Sequence, residues 1–201
     1  MEFRRRAVRA ETRAGLFPGA FNPPTRAHLA MAEAALNEVE EVVFVLPRRF
    51  PHKDYSGPGL DDRLAMLDRA VAHEPRFSVA VNEGGLFIEL ARAFRSSGER
   101  ARPVILCGRD AAERAIGWSY EDGLEFTTQL QEYDLLVAPR HGIVLDVPAH
   151  LQTYVHHLAL PREWQDISST EVRRRAACGE DWRALVPEDL AAAVARYYSS
   201  R

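Results

Sequence analysis

The 201 residues are 46% hydrophobic and 27% charged, with 26 Lys+Arg against 29 Asp+Glu and a net charge of -3. That balance suits one domain with a sizeable core and excludes a disordered chain, and no window holds the ~18 consecutive apolar residues a membrane-spanning helix needs. Two cysteines, Cys107 and Cys178, are too few for a disulfide framework or a zinc site of their own. The basic start, MEFRRRAVRAETRAG, lacks the apolar core of a secretory signal, so a soluble, cytoplasmic protein is expected. Lys53 is the only lysine among the 26 basic residues.

In chain order, residues 1–13 carry five arginines and read as a surface arm, open to being flexible, an edge strand or an interface. A single domain is expected over residues 14–201. Ala14–Phe17 is a first strand that ends at Pro18-Gly19, and Ala27–Leu36 is an Ala/Leu-rich helix. Val42–Leu46 is a second strand, closed by Pro47. Leu60–His73 has Leu64, Leu67 and Val71 on one helical face. Phe77–Val81 is a third strand and Leu86–Phe94 the next helix; Val104–Cys107, Leu135–Ala138 and Tyr154–Leu158 complete six strands. Helices over Ser169–Ala177 and Glu188–Tyr198 close the chain. Strands alternating with helices predict an α/β fold with a doubly wound parallel sheet and helices on both faces. Ligands then bind beyond the carboxyl ends of the strands.

Gly15–Leu29 (GLFPGAFNPPTRAHL) passes from the first strand through a Gly/Pro loop into a helix. Unpaired N–H groups and the dipole at that helix start suit a phosphate. Thr25 stands at the N-cap position and His28 one turn on, near the same face. The pair is open to two readings, a cap beside a surface histidine, or two groups aimed at one anion. Asp166–Arg175 (DISSTEVRRR) opens a second helix, with Ser168 or Ser169 as cap and a capping-box spacing from Ser168 to Glu171. Arg173 or Arg174 is placed to clamp a phosphate there. Arg48, Arg49, His52 and Lys53 follow the second strand, a basic loop fit for an anion or for solvent.

The first loop resembles the G-G-x-F-[ND]-P-P/I-[TH]-x-x-H signature of the nucleotidyltransferase superfamily with "HIGH"-type motifs. Its nearest likeness is to nicotinate and nicotinamide mononucleotide adenylyltransferases. The I-S-S-T-x-V-R string at Ile167–Arg173 resembles a second motif of the same family, in the right order. The resemblance implies a Rossmann-like fold, ATP and Mg²⁺, and transfer of AMP to a small phosphorylated acceptor. It implies catalytic roles for Thr25, His28 and Lys53, and ATP or phosphate binding by Gly19, Ala20, Phe21, Ser168, Ser169, Thr170 and Arg173. It likewise places Gly108 and Asp110 of Cys107–Asp110 at the nucleoside, and Trp118, Arg140 and Glu83 on the acceptor side. No protein metal ligand, nucleic acid or membrane is expected, and a homo-oligomer stays open. Nicotinate mononucleotide leads among acceptors. Nicotinamide mononucleotide, another phosphate ester of the cytidylyl or pantetheine type, and a non-catalytic nucleotide-binding module are the alternatives.

Several positions depart from the pattern. Pro18 stands for a glycine and has no N–H, Ala20 for a Ser or Thr, and Ala27 for a glycine. Val81–Phe87 (VNEGGLF) stands where nicotinate-type enzymes carry S-Y-T-x-D-T-L. Glu83 there repels a nicotinate carboxylate and accepts from an amide or amine. Arg63 is read as structural, and Cys107 as a buried strand end without redox duty.

Overall fold

The six predicted apolar runs and a strand from the N-terminal arm pair into one seven-stranded sheet in a computed structural model that describes residues 1–7, 9–49, 55, 57–118 and 125–199. In chain order its main elements are β1 (Glu2–Arg5), β2 (Arg13–Pro18), α1 (Arg26–Ala35), β3 (Glu41–Pro47), α2 (Leu60–Ala70), β4 (Phe77–Asn82), α3 (Phe87–Ser96) and β5 (Arg102–Gly108). They continue as α4 (Arg109–Ile116), α5 (Phe126–Gln129), β6 (Asp134–Ala138), β7 (Val155–His157), α6 (Arg162–Gln165), α7 (Ser169–Cys178) and α8 (Ala191–Tyr198). The strand order is β1-β4-β3-β2-β5-β6-β7. Strands β2 to β7 run parallel and β1 pairs antiparallel with β4 at the edge.

From β2 the chain winds outward through β3 and β4, then returns to β5 on the other side of β2 and winds outward again. This is a Rossmann-like order, and its reversal between β2 and β5 opens a crevice at their carboxyl ends. The loop after β2 and the turn after β5 flank that crevice.

Alternation along each strand builds two cores. Leu16, Val43, Val45, Ile105 and Leu135 face α3, α4 and α5. Phe17, Phe44, Leu46, Leu106 and Leu136 face α1 and α2. A third cluster packs Met66 and Ala70 of α2 against Val172 and Ala176 of α7 and Val194 of α8. Both sheet faces are therefore covered, as a parallel sheet requires.

The differences from the sequence expectations have local causes. The second predicted helix stops at Ala70 rather than His73, where the His73 ring reaches the Ala70 carbonyl at 3.0 Å. The closing helix starts as a 3-10 turn at Glu188–Leu190 after Pro187, and only Ala191–Tyr198 is α-helical. Helix α4 gave no apolar stripe because its buried face is Ala112 and Ala115. The two cap choices at the second motif resolve to Ser168, whose Oγ accepts from the Glu171 N–H at 3.2 Å. The return half of that capping box is missing, since the Glu171 carboxylate is held by Arg174 and Arg175.

The N-terminal segment is docked as well as paired. Arg6 donates to Glu41 at 3.1 Å and to Glu99 at 3.0 Å, and both carboxylates are buried beneath the amino ends of the strands. Ser78 donates to the other oxygen of Glu41, and Arg9 pairs with Glu99 at 3.1 Å.

Candidate active site

The loop after β2 is shaped by one glycine and one strained residue. Phe21 has φ +45, a left-handed conformation that costs a bulky side chain on the order of 1–2 kcal/mol. Its ring folds back over Gly19, where a Cβ would come within 2.9 Å of it, so the loop tolerates only glycine there. The Gly19 N–H is occupied by the Val45 carbonyl at 3.1 Å. Gly19 thus stands behind the site and positions Phe21.

Thr25 and His28 cap α1 reciprocally. The Thr25 Oγ1 accepts from the His28 backbone N–H at 3.4 Å, and the His28 Nδ1 accepts from the Thr25 backbone N–H at 3.0 Å. Oγ1 also approaches Nδ1 at 2.8 Å. An Nδ1 that accepts leaves the hydrogen of the neutral ring on Nε2. The ring packs against Phe21 at 5.2 Å and Phe17 at 5.9 Å between centroids. This dehydration lowers the His28 pKa from 6.5 to about 4. At neutral pH His28 is an uncharged donor with a fixed tautomer.

Helix α7 closes the other side. The Ser169 hydroxyl donates to the Pro23 carbonyl at 2.8 Å, and Arg173 donates to the Asn22 carbonyl at 2.7 Å and to the Thr170 hydroxyl at 3.2 Å. The start of α7 is thereby tied to the loop that carries His28. Of the two arginines the sequence offered, Arg173 faces the site, because Arg174 is engaged by Glu171 and Glu180.

Two adjoining cavities open at the switch point. One, of about 250 Å³, is lined by apolar and aromatic groups including Phe17, Met31, Phe87, Ala111, Leu160 and Trp164, together with Gly108 and Ser168. The other, of about 430 Å³, is polar and is lined by Ala20, Phe21, Asn22, Tyr55, Thr170 and three arginines, Arg114, Arg140 and Arg173. His28, Arg140 and Ser169 line both. Among the described residues no carboxylate lines the polar cavity. A pocket sized for a nucleoside base thus meets a cationic chamber at His28.

Other sequence candidates fall around this centre. Asp110 lies in the first turn of α4, behind the Gly108 cap, and pairs with Arg140 at 3.3 Å. Cys107 lines the apolar cavity, and burial pushes its thiol up to about 12, so it stays protonated. Trp118 lies past the end of α4, 40% exposed, and lines neither cavity. Glu83 is largely exposed, lines neither cavity and pairs with Arg48 at 3.1 Å. Arg48 also reaches Glu2 at 3.2 Å. His52 and Lys53 fall outside the described residues.

Sequence reading missed Trp164, Phe87 and Arg114 as lining groups. Trp164 precedes the second motif by only a few residues, and that position was the available signal. It also missed the support beneath the loop. Arg63 is buried, donates to the Ala20 carbonyl at 3.1 Å and lies over the Tyr55 ring at 4.3 Å, which agrees with a structural role. The Tyr198 hydroxyl donates to the Asn22 side chain, and burial raises the Tyr198 pKa, so the phenol stays protonated. Tyr198→Phe is expected to leave Asn22 short of one partner, at about 1–2 kcal/mol measured by denaturant unfolding. A midpoint equal to that of the wild type refutes this contact.

A doubly wound sheet with a base-sized pocket opening into an arginine-lined chamber defines a nucleotide-binding α/β protein built around phosphate groups. The cytidylyltransferase-like family model matches residues 16–175. A "Probable nicotinate-nucleotide adenylyltransferase" of Neisseria meningitidis serogroup B is 32% identical over 201 aligned residues, covering 91% of this chain and 94% of its own length. Its counterpart in Salinibacter ruber is 30% identical over 187 residues, covering 89% and 92%. Plasmodium falciparum nicotinic acid mononucleotide adenylyltransferase, solved in complex with APC, has the same fold, with TM-score 0.65 at 14% identity over 92% of this chain and 94% of that one. The chain belongs to the cytidylyltransferase-like nucleotidyltransferases, within the nicotinate-nucleotide adenylyltransferase family.

Proposed function

We propose that this protein transfers the adenylyl group of ATP to the 5′-phosphate of nicotinate mononucleotide and releases pyrophosphate. The observation that carries the reading is the junction of the apolar and polar cavities at His28, Arg140 and Ser169. The apolar cavity suits the adenine nucleoside and the cationic chamber the phosphates. An oxygen of the acceptor phosphate forms a bond to the α-phosphorus, and the bond from that phosphorus to the bridging oxygen of pyrophosphate breaks. Both substrates are anionic, so the protein's share is positioning and charge neutralisation. Neutral His28 donates from Nε2–H to a phosphoryl oxygen as charge shifts. Arg173 and the N–H groups at the start of α7 hold the leaving phosphates.

The relatives' names support adenylyl transfer and a nicotinate acceptor. The Glu83 carboxylate is answered by Arg48, which eases its repulsion of a nicotinate carboxylate. Among the described residues no group of three or more His, Cys, Asp and Glu is arranged to hold a metal ion. Mg²⁺ would enter with the triphosphate, needing few protein ligands, and would neutralise phosphate charge in the chamber. We assign the protein to the cytoplasm, with small molecules rather than nucleic acid as partners. Among the described residues no helix is long and apolar enough to cross a membrane.

Lys53 is proposed to bring a cation to the reacting phosphates; Tyr55, two residues on, lines the polar cavity. Lys53→Ala should reduce turnover by about ten-fold or more, and Lys53→Arg should keep part of it, since charge without shape is retained. Equal activity of Lys53→Ala and wild type removes that role. Pyrophosphate release with ATP or CTP and a panel of nicotinate mononucleotide, nicotinamide mononucleotide and phosphopantetheine tests the whole reading. The highest kcat/KM is expected for ATP with nicotinate mononucleotide. Preference for another pair, or no turnover, overturns it.

A further inference from the structure

The three arginines of the polar cavity are not equivalent. Arg173 is anchored to the loop through the Asn22 carbonyl, and Arg140 is paired with Asp110. Arg114 is exposed and lines the same cavity, and among the described residues no ion pair or hydrogen bond engages its guanidinium. The other acid of its helix, Glu113, is taken by Arg109 at 2.7 Å. Among the described residues, Arg114 therefore brings an uncompensated planar cation to a chamber lined by no carboxylate.

Its direction of approach matters as much as its charge. Helix α4 buries Ala112 and Ala115 in the core on one face of the sheet. Helix α7, which carries Arg173, buries Val172 and Ala176 against α2 on the other face. The two guanidiniums thus enter one cavity from opposite faces of the sheet. In-line displacement at phosphorus also has two sides, since the attacking and leaving oxygens lie opposite one another across the reacting centre. Arg173 and the start of α7 serve one side, the leaving phosphates.

We propose that Arg114 binds the phosphate of the acceptor mononucleotide and so selects a phosphorylated acceptor over its nucleoside. The proposal rests on the adenylyl-transfer reading above. Guanidinium matches phosphate oxygens in bidentate fashion, whereas a lysine supplies only a point charge.

The test is a comparison of wild type, Arg114→Gln and Arg114→Lys in pyrophosphate-release assays, with each substrate varied in turn. Arg114→Gln should raise the KM for nicotinate mononucleotide at least ten-fold and leave the KM for ATP within two-fold. Arg114→Lys should recover part of the loss. An unchanged acceptor KM, or an equal rise for both substrates, overturns the proposal. If wild type prefers a different phosphorylated acceptor, the nicotinate reading fails, and Arg114 is judged by the same KM split with that acceptor. If wild type turns over no acceptor, adenylyl transfer itself fails. Calorimetric binding of nicotinate mononucleotide then decides on Arg114: a ten-fold loss in Arg114→Gln supports it, and equal or absent binding in wild type and variant overturns it.

Discussion

His28→Ala is expected to lower kcat by about 10²–10³-fold, the usual loss for one donor aimed at charge that develops in a transition state. The KM for ATP should change little, because in the proposed binding mode the ground-state triphosphate keeps Arg173, which lines the polar cavity, and the start of α7. His28→Gln keeps a donor of similar reach and should lose less. Steady-state rates of pyrophosphate release measure all three, and a kcat within three-fold of wild type for His28→Ala would sink the mechanism. The pH behaviour follows from the aromatic packing of the ring. With its pKa lowered from 6.5 to about 4, His28 in the free protein is neutral across the physiological range. The profile of kcat/KM should therefore show no His28 inflection near 6.5. A ring resonance titrating near 4, absent in His28→Gln, is the direct check by NMR. The same shift bears on folding: the unfolded chain takes up the proton first, so this contribution is present above about 6.5 and is lost as pH falls towards about 4.

Arg6→Ala is expected to cost about 3–5 kcal/mol of stability. The side chains of Glu41 and Glu99 are 0% and 3% exposed, and Arg6 bridges them. Without it, two buried carboxylates face each other, with Arg9 still reaching Glu99. That loss is a large share of the 5–15 kcal/mol that holds a typical domain together. Burial already raises the Glu41 pKa, against the opposing effects of Ser78 and Arg6. Loss of Arg6 raises it further. A carboxyl with a raised folded-state pKa favours folding at low pH and disfavours it as pH rises through that value. Arg6→Ala should thus lie closest to wild type in mildly acid solution and fall behind as pH rises. Adding Glu41→Gln, which removes one of the orphaned charges, should restore part of the loss. Urea melts at two pH values test this, and a deficit that does not depend on pH argues against the buried pair as its cause.

The Thr25–His28 loop was legible because its pattern is local. A cap, a helix start and a histidine three residues on occupy one stretch of chain, and the structure closes Thr25 and His28 into a reciprocal pair. The helix start at Ser168 or Ser169 and the alternation of strands with helices were legible for the same reason, since both follow from neighbours in sequence or from hydrophobic periodicity. The choice of Ser168 and the order of the strands came from the structure. Helix α4 escaped that reading, since two alanines facing a sheet make no strong pattern, and Arg114 escaped with it.

The N-terminal arm marks where sequence reading ends. Five arginines in residues 1–13 looked like surface, yet one of them neutralises two acids that lie 35 and 93 residues away. By itself, the sequence determined the parallel α/β architecture and singled out the two loops, after β2 and before α7, that the structure ties together. Tertiary structure alone decided which arginines face the chamber, which are spent on carboxylates, and how far the His28 ring is dried by Phe17 and Phe21. Those outcomes depend on burial and on distances between remote residues. Charge and hydration are set by what surrounds a group in space, and neither is written in the order of its neighbours along the chain.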